Sequence, residues 1–135
     1  MHTTNYTDTF IAVAPDCPVT QAELPAAKAK PTVASMQFEL LNDKPYTYTS
    51  DDVLFTVHAL RNGIPKSEWK EARAQFFSKG QACLRASPLT KRYGFGVHSD
   101  ANGRVALVPL GSKAYTAFAK DTKLNHVKAM RSARP

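Results

Sequence analysis

Few side chains in this sequence have the chemistry to do more than fold. The nucleophile and acid–base candidates are Cys17, Cys83, His58, His98, Asp51, Asp52 and Asp100, and no two of them sit at a spacing that an established mechanism requires. Asp51-Asp52 follows Thr49-Ser50 at the start of a helical pattern, where carboxylates stabilise the positive end of the helix dipole. His58 falls beside Leu54 and Val57 on the apolar side of that pattern, the usual setting of a hydrogen-bonded core histidine. His98 points to the Gly94/Gly96 side of a strand. If a pocket opens there, His98 is the candidate general base and Cys83 the candidate nucleophile of an enzyme acting on a small anionic substrate. Neither cysteine has a second Cys or a His at zinc-finger spacing, so no metal is expected. No cofactor is expected either: Gly94-Phe95-Gly96 lacks the Gly-Lys-Ser/Thr ending of a phosphate loop and lies within a strand.

The cations form the stronger pattern. The net charge of +7 is unevenly spread: residues 1–72 hold 9 acids and 6 bases (−3), and residues 73–135 hold 2 acids and 12 bases (+10). Arg85, Lys91, Arg92 and Arg104 lie in or beside one predicted hairpin, and Lys123, Lys128, Arg131 and Arg134 crowd the carboxyl end. If the last strand pairs near the hairpin, these charges form one patch able to neutralise several phosphates. Tyr93 and Phe95 would then offer ring faces to single-stranded bases, with burial in the core as the competing use of both rings. Arg92 to Val97 resembles the RNA-recognition pattern that presents rings on a sheet, but Tyr93 stands where its first Gly should be and Gly96 where its second ring should be. DNA is disfavoured. The helix pair over 50–62 and 67–79 would present Glu68 and Glu71 to phosphates at the start of its second helix. Protein partners stay open, with Tyr46 and Tyr48 as a contact patch or as a staple on the following helix.

The elements that must position these residues are legible in outline. Thr7 to Ala14 reads as an interior strand, apolar on both faces and stopped by Pro15. Thr32 to Asn42 fits helix and strand spacing alike; its length and an N-cap favour helix. The next helix is capped by Thr49-Ser50, striped by Val53, Leu54, Val57 and Leu60, and closed by Asn62-Gly63. A second follows over Ser67 to Lys79, with Ser67 as cap and Trp69, Ala72, Phe76 and Phe77 as its buried face, so that the two form an α-hairpin. Ser87-Pro88 opens a turn of helix that ends by Lys91. Tyr93, Phe95 and Val97 then alternate with Gly94, Gly96 and His98, Asp100 to Gly103 supplies the turn, and Val105 and Leu107 resume the alternation. Ser112 caps a last helix, Lys113 to Lys120, with Ala114, Tyr115 and Phe118 as its apolar side. Leu124 to Met130 is a final strand, and Arg131 to Pro135 a basic frayed tail.

The 135 residues, 43% hydrophobic and 21% charged, suit one α+β domain over 1–130. The order predicts an antiparallel sheet of three to four strands covered on one face by helices, a split β-α-β-like arrangement with inserted helices. Apolar runs are too short to span a bilayer, and Met1 to Phe10 carries no secretory signal. A cytoplasmic setting without membrane contact is expected, and a Cys17–Cys83 disulfide is disfavoured there.

Read in order, Thr49 to Phe55 (TSDDVLF), Ser87 to Asp100 (SPLTKRYGFGVHSD) and Val127 to Ser132 (VKAMRS) resemble a family of short bacterial proteins described only as a domain of unknown function. The likeness takes in His2 to Pro18 as well. It implies a bacterial cytoplasmic setting and one complete domain, and it carries no activity, cofactor or catalytic residue. The favoured expectation is therefore non-catalytic RNA binding in an accessory or regulatory role, through Arg85, Lys91, Arg92, Arg104, Lys128 and Arg131 with Tyr93 and Phe95 stacking.

Overall fold

The computed structural model describes residues 2–25 and 30–132. Met1, residues 26–29 and the last three positions of the expected tail, Arg134 among them, lie outside the described residues. The fold is α+β. In chain order it runs β1 (Thr9–Ala12), α1 (Val33–Asp43), α2 (Ser50–Arg61), α3 (Trp69–Phe76), α4 (Pro88–Lys91), β2 (Phe95–Ser99), β3 (Val105–Pro109), α5 (Lys113–Lys120) and β4 (Asn125–Lys128).

Local signals set most boundaries. The Thr32 hydroxyl accepts from Ser35 N–H while the Ser35 hydroxyl accepts from Thr32 N–H, a capping box that resolves the helix–strand ambiguity of this stretch in favour of helix. Thr49 and Asp52 do the same for α2, Ser87 caps α4 with Pro88 in its first turn, and Ser112 caps α5. Ser67 is not a cap. Pro65 leads into a 3₁₀ turn over Lys66–Glu68, and α3 starts at Trp69, whose indole N–H donates to the Ile64 carbonyl at 2.8 Å.

The sheet order is β3-β2-β1-β4, which places β1 inside as its two-sided apolarity predicts. β2 and β3 form the expected hairpin, and β1 pairs antiparallel with β2. β4 differs from expectation: it runs parallel to β1 and directly beside it, so the sheet is mixed and no strand splits the parallel pair. Alternation of side chains fixes which residues share a face but not the direction or neighbour of a strand.

Helices also lie on both faces rather than one. Ile11, Val97 and Val105 pack against Leu41 of α1 and Val53 of α2. On the opposite face Phe10 meets Tyr115 and Phe118 of α5, edge-on at 5.1 Å and stacked at 5.8 Å. Ala114 and Leu60, expected inside, are exposed, because Tyr115 and Phe118 suffice to seat α5 and α2 turns Phe55 and Ala59 instead toward Phe77. Gly96 makes room for this second layer: a Cβ there would stand 2.9 Å from the Phe10 ring and 3.0 Å from the Ile11 carbonyl oxygen.

Candidate nucleic-acid interface

The short helix α4 and the turn before it set out the first group of cations. Ser87 is buried, its hydroxyl donating to Gln37 at 2.5 Å and accepting from Leu89 N–H, and the buried Thr90 hydroxyl donates to the Leu84 carbonyl. These bonds fix the backbone from Leu84 to Lys91 against α1. Lys91, Arg92 and Tyr93 are thereby brought to a cavity of about 340 Å³ whose other walls are Thr32, Val33 and Ala34 at the start of α1, with Ala86 and Pro88.

The end of β4 joins this group. Arg85 Nε donates to the Lys128 carbonyl at 2.6 Å, and Met130 N–H donates to the Arg85 carbonyl at 2.8 Å. Arg85 is therefore the bridge between the α4 region and the strip Lys128 to Arg131, while Lys128 and Arg131 are exposed. Among the described residues the single ion pair is Arg73–Asp52 at 2.9 Å, so Arg85, Lys91, Arg92, Lys128 and Arg131 have no carboxylate partner there. Nearby, the Asp16 carboxylate accepts from Ser132 N–H at 3.0 Å.

Two of the expected residues are elsewhere. Phe95 is only 4% exposed, packed with Leu89, Ala34 and Phe38 beneath the cavity, so its ring has no face to offer a base. The bare glycines either side of it belong to the sheet's other pleat, and a core position was the physically cheaper use of the ring. Arg104 is exposed but sits at the far tip of the hairpin, separated from Arg92 by the length of β2, roughly 17 Å for its 5 residues. Its surroundings are acidic. The Asp100 carboxylate accepts from the N–H groups of Asn102 and Arg104, and Asp8 N–H donates to the Asp100 carbonyl. Tyr93 is half-buried, one side against the Leu89/Phe95 cluster and the other lining the cavity.

The acid–base candidates do not assemble into one site. His98 Nδ1 pairs with the Tyr46 hydroxyl at 2.8 Å, and its ring stacks on Phe118 at 4.2 Å on the α5 face of the sheet. Burial holds the imidazole below its ordinary pKa, against the opposing charges of Asp100, Asp8 and Asp121. Cys83 lies instead beside the Tyr6 hydroxyl, 3.8 Å away, and Tyr6 packs on the cluster of the opposite face. His98 and Cys83 thus share no partner among the described residues. The His58 ring lies tilted against Phe76 at 4.5 Å, and Tyr48 packs against the main core while its carbonyl accepts from Val105 N–H. No group of three His, Cys, Asp or Glu among the described residues is placed to hold a metal, and no helix there is long and apolar enough to cross a membrane.

The residues missed by the sequence reading are Ala86, Pro88 and the first turn of α1. Thr32 marks the start of that helix in the sequence, but nothing local says that it abuts Lys91. A family model described as "Family of unknown function (DUF6157)" matches residues 1–135, and the chain belongs to that family. No curated protein and no solved structure matches it significantly.

Proposed function

We propose that this protein binds RNA without catalysis, holding phosphates along a basic strip that runs from Lys91 and Arg92 through Arg85 to Lys128 and Arg131. The observation that carries the reading is the Arg85 bridge: one side chain ties the α4 region to the end of β4, and four further cations, Lys91, Arg92, Lys128 and Arg131, flank it without a carboxylate partner among the described residues. Arginine and lysine so arranged lose little by meeting phosphate, since no ion pair among the described residues must first be broken. Partly exposed Tyr93 is the one ring of the expected pair that supports stacking. Arg104 and Phe95 have no part in it, and DNA is disfavoured because nothing in the strip is a helix shaped for a major groove: α4 has only 4 residues.

The test is filter binding of total RNA at two salt concentrations. Five phosphate contacts to single strands imply a log–log slope near −3.5, or roughly a hundredfold weakening between about 50 and 200 mM salt. Absence of binding, or binding indifferent to salt, removes the reading.

A further inference from the structure

Resting on that reading, we infer that the cavity at Lys91, Arg92 and Tyr93 holds a terminal phosphate monoester of the RNA with its nucleotide, while the strip through Arg85, Lys128 and Arg131 carries the chain that follows.

Size is the first reason. At about 340 Å³ the cavity stands at the low end of small-molecule sites, about 300–1,000 Å³, which is room for one nucleotide-sized group. Charge is the second. A monoester carries about −1.5 to −2 near neutral pH, whereas an internal diester carries a single charge. Lys91 and Arg92 put two cations on consecutive residues at the rim, and neither has a carboxylate partner among the described residues. The arginine fork suits two oxygens of one phosphate, and the ammonium suits the third.

The remaining walls fit the rest of a nucleotide. Val33 and Ala34 present the first turn of α1, where backbone N–H groups have no acceptor within the helix; the Thr32 hydroxyl serves Ser35 N–H, not theirs. This side is therefore polar along its backbone although its side chains are apolar. Tyr93 is held from behind by the Leu89/Phe95 cluster, so its orientation is set before a base arrives. Ala86 and Pro88 complete the wall with small, rigid, uncharged groups.

Short RNAs of one sequence, ending in a 5′-phosphate, a 3′-phosphate or hydroxyls only, test this by fluorescence anisotropy, with uridine 5′-monophosphate titrated in parallel by calorimetry. One phosphorylated end is expected to bind about tenfold tighter than the hydroxyl-ended RNA, the gain of one charge-assisted contact; which end does so identifies the source of the monoester. Ala86→Glu, which adds a carboxylate to the wall and removes no cation, should abolish the preference. Should that variant unfold, Lys91→Ala repeats the comparison, since the Lys91 side chain makes no hydrogen bond among the described residues. Equal affinity for all three RNAs overturns the end pocket and leaves backbone binding in place. Mononucleotide binding without RNA binding keeps the cavity and removes the RNA reading, and failure of both ligands removes both.

Discussion

Replacing Lys91 and Arg92 together by Ala is expected to weaken RNA binding by roughly 100-fold or more, about tenfold for each of two charge-assisted phosphate contacts. The log–log salt slope should fall by about 1.4, which is 0.7 for each contact removed from a single strand. The fold should not notice. Neither side chain takes part in a hydrogen bond or ion pair among the described residues; what holds this end of α4 is backbone, Lys91 N–H to the Ser87 carbonyl at 3.0 Å and Arg92 N–H to the Pro88 carbonyl at 2.8 Å. A surface change of this kind moves stability within about 0.5 kcal/mol, so the melting temperature separates lost binding from lost structure. Arg104→Ala serves as the matched control, one cation removed from the far tip of the hairpin, and should leave RNA affinity unchanged.

Asp51→Ala should cost about 3 kcal/mol of folding stability, seen as a fall of roughly 10 °C in melting temperature. Asp51 is only 8% exposed, and its carboxylate accepts from Thr3 Oγ, Thr4 N–H and Thr4 Oγ at 2.6–2.7 Å, while Asn5 Oδ1 accepts from Asp51 N–H. It is therefore the clasp that pins the amino-terminal segment to the start of α2. Removing it strands buried donors that no water can reach cheaply. Asp52→Ala should cost much less, about 1 kcal/mol, because that carboxylate caps Thr49 N–H and pairs with Arg73 at a site where both side chains remain a third or more exposed. If the pair served the helix dipole alone, the two substitutions would be equal. Urea denaturation of both variants distinguishes the cases.

The contrast between these two neighbours shows what could be read from the chain and what could not. Signals that act within a few residues were legible: the caps Thr32, Thr49, Ser87 and Ser112, the Pro88 start of α4, and the hairpin with its Gly103 turn at φ 77°. Asp52 belongs with them, since its partner Thr49 is three residues away. Asp51 does not, because Thr3 and Thr4 reach it only once the chain has folded back across more than forty residues. Strand β4 fails for the same reason: a strand over Leu124 to Met130 is legible locally, yet parallel pairing with β1 is a property of the whole chain path. The second helical layer also escaped notice. A Gly94/Gly96 surface looks bare in sequence, but Gly96 is small because Phe10 of the neighbouring strand lies against it.

The candidate interface divides likewise. That the later half of the chain is basic could be counted; that Arg85 ties Lys128 to the α4 region depends on a side chain bonding a carbonyl 43 residues on. Phe95 illustrates the converse error. A ring flanked by cations suggests stacking, but in a strand whose neighbours are glycines it is the ring that fills the core.

Ultraviolet crosslinking of the protein to a uridine-rich RNA, followed by peptide mapping, tests the convergence of these cations most directly. Crosslinks are predicted at Tyr93 and in the peptides spanning residues 84–93 and 125–132, with none at the Asp100–Arg104 turn. Crosslinks confined to that turn or to α3, or spread evenly over the molecule, would contradict the proposal that one basic strip receives the RNA.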